Sequence, residues 1–251
     1  MPSHRVALLS DIHGNEVALR AVLDDIDATG VDSVACLGDT ATLGPRPRQV
    51  LEMLAETCAW LILGNHDEYM FTPELVHLHT SAPIVTDAVE WCRAQLGAGE
   101  IDLLRRFVRR VEVPLGEAGT LLLFHGSPES NICDMLADTP EGELAEHLGE
   151  HRAVVMAGGH THVQMLRQHR GTLVVNPGSV GMPFERFVDG GPPTVMPHAE
   201  YAIVEATGPN VSVSLRRVAL DREALSKAAR SWELPMGRYL VGQYERTVGA
   251  S

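Results

Sequence analysis

Short apolar runs alternate with helically spaced apolar positions through the first quarter of the chain. Residues 5–10 form a β-branched and leucine-rich run that predicts a strand, and apolar residues recur at helical spacing from 17 to 26. Gly30 is placed to end that helix. The same order then returns as a strand over 33–37, a helix over 48–57 and a strand over 59–63. Repeats of this kind predict a βαβαβ unit with a parallel sheet.

The remainder of the chain predicts a second set of strands, separated from the first by a helical stretch. Residues from about 68 to 110 are expected to form a cap-like helical insertion, with helices over 86–96 and 101–109. The later elements are strands over 111–115, 120–124 and 153–157, a helix over 141–148, a hairpin over 163–167 and 172–175, and strands over 201–206 and 211–218. No internal repeat divides the sequence, so we expect residues 1–251 to form a single domain.

Two stretches near the end of the chain carry local signals. Residues 182–198 are rich in Pro and Gly and predict a surface loop. Asp221 is placed to cap a helix over 221–230, whereas the tail after Trp232 shows no clear pattern.

Composition and charge narrow the class of protein. The 251 residues include 20 Lys and Arg against 33 Asp and Glu, a formal net charge of −13, and 45% of them are hydrophobic. This balance fits a folded globular protein and excludes a disordered, collagenous or coiled-coil chain. A surface this acidic repels phosphate polymers, so we expect no stable nucleic-acid binding. Twelve histidines are the unusual feature of the composition.

Cysteine usage and hydropathy bear on the compartment. Cys36, Cys58, Cys92 and Cys133 lie far apart and form no C-x-x-C pair, so we expect buried, reduced thiols. No stretch approaches the roughly 18 consecutive apolar residues that a membrane-spanning helix requires. We therefore expect a cytoplasmic protein without a membrane association.

Polar residues that can bind metal ions follow the apolar strands. They are Asp11 and His13, Asp39, Asn65 and His66, His125, and His160 and His162. The carboxyl ends of parallel strands form the ligand sites of open α/β sheets. Alternating spacing, as in Asp11-Ile12-His13 and His160-Thr161-His162, is expected to turn two ligands to one side of an extended backbone. One such histidine usually serves only as a hydrogen-bonding residue, but the combination of carboxylate, imidazole and amide suits Mn, Fe, Zn or Ni.

Taken together, these residues resemble the motifs of the calcineurin-like metallophosphoesterase family. The resemblance rests on Asp11-x-His13, Gly38-Asp39, Gly64-Asn65-His66-Asp67, His125 and Gly159-His160-Thr161-His162. Asn176-Pro177-Gly178-Ser179 resembles the bacterial and archaeal phosphodiesterase branch of that family. The resemblance implies an α/β fold, a four-layer α/β/β/α sandwich of two mixed sheets. It also implies one metal ion on Asp11, His13 and His162, a second on Asn65, His125 and His160, and a bridging Asp39.

The same resemblance implies a dinuclear metal-dependent phosphoesterase. Two divalent transition-metal ions, Mn most expected and Fe, Zn, Ni or Co as alternatives, would supply a bridging hydroxide for in-line attack on a phosphodiester or nucleotide-type phosphoester. His66 is placed by the resemblance as the general acid that protonates the leaving group. Arg46 and Arg186 are candidate contacts for substrate phosphate, with a solvated helix face and an aromatic-anchored loop as the plainer interpretations. The oligomeric state stays open.

Two positions depart from the phosphoprotein phosphatase branch of the family. Thr42 stands where that branch has the acid that orients His66, and Asp67 stands where it has Glu. Asp67 is expected either to orient a ligand or to neutralise the start of a helix. A protein phosphatase is thus disfavoured, while dinucleoside polyphosphates and phosphomonoesters stay open as substrates. A catalytically weak scaffold of the same fold is the alternative from another class, but such a scaffold is expected to lose ligands, and the motifs here are complete.

Overall fold

Strands and helices alternate along the chain, of which the computed structural model describes residues 3–188, 190–230 and 233–246. The strands in these ranges are β1 (Ser3–Leu9), β2 (Ser33–Cys36), β3 (Trp60–Leu61), β4 (Val111–Pro114), β5 (Thr120–Leu123), β6 (Val155–Ala157), β7 (Met165–His169), β8 (Thr172–Asn176), β9 (His198–Thr207) and β10 (Asn210–Ala219). The α-helices are α1 (Glu16–Thr29), α2 (Pro47–Thr57), α3 (Asn65–Tyr69), α4 (Val76–His79), α5 (Pro83–Ala94), α6 (Ala98–Leu104), α7 (Glu141–Leu148), α8 (Arg222–Arg230) and α9 (Gly237–Glu245).

The strands form two five-stranded mixed sheets. The first has the order β10-β9-β1-β2-β3, and the second has the order β4-β5-β6-β8-β7. In the first sheet β1, β2 and β3 are parallel, and β9 and β10 continue antiparallel from β1. In the second sheet β5, β6 and β8 are parallel, and antiparallel strands close both edges. The predicted α/β fold with two mixed sheets is confirmed.

Both faces of β1 are buried, which explains why its sequence is an uninterrupted apolar run. Val6 and Leu8 pack in the cluster between the two sheets, together with Leu121 of β5. Leu9 points to the opposite face and packs with Leu19 of α1. Successive side chains of a strand alternate between its faces, so a strand covered on both sides needs apolar residues throughout.

Helices cover the outer face of each sheet. The cluster that contains β1 and α1 also takes in Val50 and Leu54 of α2, on the outside of the first sheet. On the second sheet, Leu144 of α7 packs with Phe124 and Met156. The layers are therefore helix, sheet, sheet and helix, as the family resemblance implies.

The segment between β3 and β4 contains α3 to α6. Val89 of α5 and Leu104 of α6 share one apolar cluster with Leu225 of α8 and Leu240 of α9. The helical insertion thus packs against the helices at the end of the chain. That the whole chain forms a single domain stays a prediction.

Several element boundaries differ from those that the sequence predicts. Helix α6 ends at Leu104 rather than at residue 109, because Val108 forms a parallel bridge with Ile62 and accepts a hydrogen bond from Leu63 at 2.8 Å. The short helices α3 and α4 were not predicted, since four or five residues give too little periodicity. Trp232 lies outside the described residues, and α9, which follows it, was also missed.

The cysteines and the helices can be compared with what the sequence predicts. All four cysteines are free, and Cys36 and Cys92 are buried. The expectation of burial is wrong for Cys58 and Cys133, which are half-buried because Cys58 lies at the carboxyl end of α2 and Cys133 in the loop after β5. Within the described ranges, none of the helices is both long enough and apolar enough to cross a bilayer.

Candidate metal centre

Two groups of acidic and imidazole side chains meet beyond the carboxyl ends of the parallel strands. The first group is Asp11, His13 and His162, and the second is Asp39, His125 and His160. Within each group the candidate ligand atoms all lie within 4.8 Å of one another. Asp11 and His13 follow β1, Asp39 follows β2, His125 follows β5, and His160 and His162 follow β6. Both sheets therefore contribute candidate ligands, and packing them face to face assembles the two groups.

Asp39 lies between the two groups. Its Oδ1 is 3.4 Å from His125 Nε2, and its Oδ2 is 3.9 Å from His13 Nε2. Asn65 adds an amide oxygen beside the second group, since its Oδ1 is 3.2 Å from His125 Nε2. One carboxylate thus faces both groups, the arrangement that the resemblance implies for a bridging ligand.

The backbone at these residues is left-handed, and the expectation of an extended backbone is wrong. The φ angles are 54° at Asp11, 47° at His13, 57° at Asp39, 71° at His160 and 58° at His162. Residues other than glycine rarely adopt this conformation, which costs on the order of 1–3 kcal/mol at each position. Tight turns therefore aim these side chains: Asp11 and His13 face one group, whereas His160 and His162 face different groups.

Asp67 holds the loop that carries Asp39. Its Oδ2 accepts hydrogen bonds from the N–H groups of Asp39 (2.8 Å) and Gly64 (3.0 Å), and its Oδ1 accepts from the N–H (2.8 Å) and hydroxyl (2.6 Å) of Thr40. Burial, followed by the charge of Asp39, raises the pKa of Asp67 to about 6. Because Gly64 is the N-cap of α3, Asp67 fills both roles that the sequence left open.

Glycines allow the loops to approach the ligands closely. A Cβ on Gly64 would lie 2.1 Å from Asp39 Oδ1. A Cβ on Gly159 would lie 1.8 Å from Ser10 Oγ and 2.6 Å from Asp11 Oδ2. Neither position has room for a side chain. Glycine is therefore required at both because a Cβ would clash with neighbouring atoms, and not because of a left-handed backbone.

The hydrogen bonds of the first group decide which ring nitrogens face the site. His162 Nδ1 donates to the carbonyl of Met182 at 2.8 Å, and His13 Nδ1 lies 3.0 Å from Thr42 Oγ1. The two Nε2 atoms then face one another at 3.1 Å. Asp11 Oδ1 is buried 3.3 Å from His162 Nε2, yet it accepts no well-aligned hydrogen bond from any residue that the structure describes.

This convergence of lone pairs fits a bound cation. Imidazole nitrogens and a carboxylate oxygen that point at one buried spot repel each other unless a proton or a metal ion lies between them. Nitrogen and oxygen donors without thiolate are the ligands of Mn, Fe, Zn, Ni or Co rather than of a soft metal. The residues present therefore fit a divalent transition-metal ion.

The pKa values of the residues in the two groups also indicate that the site favours bound positive charge. Burial opposes charge on His125, but the Asp39 carboxylate and its hydrogen bond raise the pKa of His125 to about 9. Burial, followed by the charge of His125, lowers the pKa of His160 to about 4. Burial would raise the pKa of Asp11, but the charge of the neighbouring His162 lowers it to about 2. The carboxylates stay negative, and cations can replace the protons on the neighbouring imidazoles.

His66, the predicted catalytic residue, lies beside the first group. Its N–H donates to Asp39 Oδ1 at 2.9 Å, and its Nδ1 is 3.0 Å from Thr42 Oγ1. The rings of His66 and His13 are 5.0 Å apart at their centroids. His66 is half-buried whereas His13 is buried, and burial lowers the pKa of His66. The ring thus lies beside the first group and is less buried than the ring of His13.

Tyr69 and His79 contact the site, and neither belongs to the motifs that contain the candidate ligands. Asn65 Nδ2 donates to the Tyr69 hydroxyl at 2.9 Å, and that hydroxyl lies 2.9 Å from His79 Nδ1. Asn65 and Tyr69 are four residues apart on α3, a spacing that places side chains together on a helix. Predicting α3 from the sequence would have indicated this contact.

Phe184 and Asp134 also approach the ligands. The Phe184 ring stacks on His162 at 4.3 Å between centroids, and the Phe184 N–H donates to the His162 carbonyl at 3.0 Å. Asp134 Oδ1 lies 3.4 Å from His160 Nε2. The loop that begins near residue 182 therefore packs on the first group. Asp134 lies in an irregular segment with no sequence signal.

The two candidate contacts for substrate phosphate, Arg46 and Arg186, lie in different surroundings. Arg46 is the N-cap of α2, and its Nε lies 3.8 Å from Glu16 Oε2. Arg186 is exposed in the loop after Met182. A role for either residue in binding phosphate stays a prediction.

Comparisons with known proteins agree with this geometry. A family model described as the calcineurin-like phosphoesterase superfamily domain matches residues 5–202. The crystal structure of a metallophosphoesterase from Sphaerobacter thermophilus is 28% identical, with 96% of this chain and 98% of that chain covered and a TM-score of 0.74. A hypothetical protein from Pyrococcus horikoshii OT3 is 20% identical, with 95% and 96% covered and a TM-score of 0.77, a likeness of fold alone. An uncharacterized protein of Methanocaldococcus jannaschii is 24% identical over 199 residues, 73% of this chain and 79% of that protein.

Proposed function

The chain belongs to the calcineurin-like phosphoesterase superfamily, and we propose that it is a dinuclear metal-dependent phosphoesterase that hydrolyses phosphodiesters or nucleotide-type phosphoesters. The observation that carries the proposal is the pair of adjacent ligand groups with Asp39 between them. A fold of this kind hosts different functions, so the activity is argued from the site itself.

Each ligand has a proposed place. Asp11, His13 and His162 would hold the first metal ion, Asn65, His125 and His160 would hold the second, and Asp39, which lies between the two groups, would serve both. Manganese is the expected metal, with Fe, Zn, Ni or Co as alternatives. When bound, two divalent cations neutralise phosphoryl oxygens and lower the pKa of water in the site, which supplies a nucleophile near neutral pH.

The remaining residues position the substrate and the ligands. His66 acts as the general acid that protonates the leaving-group oxygen, a role that suits a half-buried imidazole next to the candidate ligands. Asp67 keeps Asp39 in place through the hydrogen bonds to its loop. Phe184 covers one face of the His162 ring and shields it from water.

The alternatives differ in what they require of the site. Hydrolysis of a dinucleoside polyphosphate or a phosphomonoester would use the same two ligand groups. Only rates measured on each substrate distinguish these activities from hydrolysis of a phosphodiester. A buried polar atom without a hydrogen-bond partner, such as Asp11 Oδ1, lowers the stability of the fold by about 1–3 kcal/mol. A catalytically weak scaffold that binds no metal would carry this loss of stability with no function to offset it. We infer a small substrate in a cytoplasmic setting, because the net charge of −13 opposes nucleic acid and the four thiols are free.

The decisive experiment is hydrolysis of bis-p-nitrophenyl phosphate by metal-stripped protein after Mn²⁺, Ni²⁺, Co²⁺ or Fe²⁺ is added back. We expect turnover that depends on the added metal and a metal content near two per chain. Absence of turnover with all four metals would contradict the proposal. A metal content below one per chain after reconstitution would favour the scaffold.

A further inference from the structure

A short segment crosses from the second sheet to the first close to the first ligand group. This crossing segment, residues 176–182, begins at Asn176, the last residue of β8 in the second sheet. It reaches the first sheet at Val180, whose N–H donates to the carbonyl of Ser10, just after β1, at 2.9 Å. The carbonyl of Ser179 also accepts a backbone N–H from β9 at 2.9 Å. The crossing segment therefore ties the two sheets together at the edge where the candidate ligands lie.

Ser179 holds the backbone of Asp11. Its side chain is fully buried, and its Oγ donates to the Asp11 carbonyl at 2.7 Å while it accepts the Met182 N–H at 2.8 Å. The N–H of Gly181 donates to the same Asp11 carbonyl at 3.0 Å. The carbonyl of Met182 accepts the Nδ1–H of His162 at 2.8 Å. Two members of the first group, Asp11 and His162, are thus fixed to one short piece of chain.

Asn176 holds the turn that contains His160 and His162. Its side chain is buried, and its Nδ2 donates to the Gly159 carbonyl at 2.6 Å and to Thr161 Oγ1 at 3.0 Å. Its Oδ1 accepts a backbone N–H of the crossing segment at 2.9 Å, so a flipped amide would set one N–H against another. Because His160 belongs to the second group and His162 to the first, this turn carries one candidate ligand of each.

The residues that are held in this way have a strained backbone. The φ angles are 54° at Asp11, 71° at His160 and 58° at His162. A left-handed backbone costs about 1–3 kcal/mol at such residues and persists only where the surrounding contacts hold it. The side chains of Asn176 and Ser179 supply some of these contacts. A substitution can therefore remove them while the backbone hydrogen bonds of the two sheets remain.

We propose that Asn176 and Ser179 are positioning residues for the metal centre. Ser179 aims Asp11 and sets the affinity of the first metal site alone, whereas Asn176 aims one ligand of each site and sets both affinities. This inference rests on the proposed function, from which it takes the two ligand groups. Both residues act through the backbone or through Thr161: within the described ranges, none of the hydrogen bonds of these two side chains ends on a ligand atom.

Calorimetric titration of the metal-stripped protein with Zn²⁺ tests this assignment without any substrate. Ser179→Ala removes only the hydroxyl. We expect the affinity of one site to fall by about 10–100-fold, as it does when a group that orients a ligand is lost, and the other affinity to stay unchanged. In Asn176→Asp the carboxylate still accepts the N–H of the crossing segment but cannot donate to the Gly159 carbonyl. Both sites should therefore weaken in this variant.

A second background identifies the site that weakens. His13→Ala leaves the first group incomplete, so adding Ser179→Ala to it should not lower the remaining zinc affinity further. Adding Asn176→Asp to the same background should still lower that affinity, because the turn that Asn176 holds carries His160 of the second group.

The stability that zinc adds separates positioning from a general structural role. A metal ion that binds only the folded chain raises the urea midpoint of unfolding by an amount that grows with its affinity. We expect Ser179→Ala to narrow the gap between the midpoints of the zinc-loaded and metal-free protein. A general loss of stability would lower both midpoints and leave the gap unchanged. Thr139→Val is the matched control, since its buried hydroxyl also accepts a backbone N–H three residues away, at 2.8 Å, in the loop before α7.

The outcomes distinguish this inference from the proposed function. Unchanged zinc affinities in Ser179→Ala, or an equal loss at both sites, would overturn the role of Ser179. A loss confined to one site in Asn176→Asp would overturn the role of Asn176; if that variant does not fold, Ser179→Ala and its control still decide whether the crossing segment aims the first group. Two zinc sites that respond as expected, without turnover by the wild type with any added metal, would contradict the phosphoesterase proposal and support this inference. A wild type that binds no zinc would overturn both.

Discussion

Tyr69 fixes the orientation of the Asn65 amide. The Asn65 Nδ2 donates to the Tyr69 hydroxyl at 2.9 Å, and this contact turns Oδ1 toward His125, whose Nε2 lies 3.2 Å away. His79 Nδ1, 2.9 Å from the same hydroxyl, can accept its hydrogen. The proposed ligand oxygen of the second metal ion is thus presented by a hydrogen-bond chain that begins in α4.

Removing the Tyr69 hydroxyl is expected to lower the affinity of the second metal site and to leave the affinity of the first unchanged. In Tyr69→Phe the amide loses the partner that orients it, and the loss of a residue that orients a metal ligand reduces metal affinity by about 10–100-fold. Isothermal titration with Zn²⁺ should show one site weakened and one unchanged. Tyr201→Phe is the matched control, since the Tyr201 hydroxyl bonds to Asp25 and not to a proposed ligand. Two unchanged sites in Tyr69→Phe would contradict this role.

Neutralising Asp39 is expected to abolish dinuclear binding. Its two oxygens face different groups, at 3.4 Å from His125 Nε2 and 3.9 Å from His13 Nε2, so Asp39→Asn removes charge from both. Elemental analysis after dialysis should show the metal content falling from about two to below one per chain, by the loss of a shared anionic ligand. Asp221→Asn, which keeps a good N-cap at the start of α8, should retain the wild-type content.

Truncating His66 is expected to lower the rate of hydrolysis without changing metal binding. His66→Ala removes a donor beside the site but none of the proposed ligands, so metal content should not change. Loss of a donor to developing negative charge typically lowers kcat by about 10²–10³-fold. Steady-state kinetics and elemental analysis on one preparation test both statements. A variant that loses a metal ion would show that His66 acts as a ligand instead.

Adding a methyl group at Gly159 is expected to destabilise the protein. The new Cβ would lie 1.8 Å from Ser10 Oγ and 2.6 Å from Asp11 Oδ2, so the β1 and β6 loops must separate. We expect Gly159→Ala to lower the free energy of unfolding by about 2 kcal/mol or more, as overpacking does. Gly142→Ala is the control: it lies in α7 with nothing within 4 Å of the added atom, and should stabilise by roughly 0.5–1 kcal/mol. Urea unfolding measures both, and equal effects would refute the steric argument.

The βαβαβ unit and the later strands were predictable because their periodicity is local. The apolar run before Asp11 is short and continuous, as a strand covered on both faces requires, and the helix after it ends at Gly30 as predicted. The N-cap of α8 was equally visible, since Asp221 Oδ1 accepts from Glu223 and Ala224. Helix α6 was predicted too long because the pairing of Val108 with Ile62 is a long-range contact.

The sequence by itself determined the types of residue at the candidate site and their position after the strands. Each candidate ligand from Asp11 to His162 lies in a short motif next to a strand, and these motifs carry the family resemblance that implies the ligand set. Only the tertiary structure decided how these residues are aimed. Their backbones are left-handed rather than extended, and the two sheets must pack before Asp39 can face both His13 and His125. The contacts of Thr42 with His13 and His66 likewise join residues far apart in the chain, and no local periodicity encodes them.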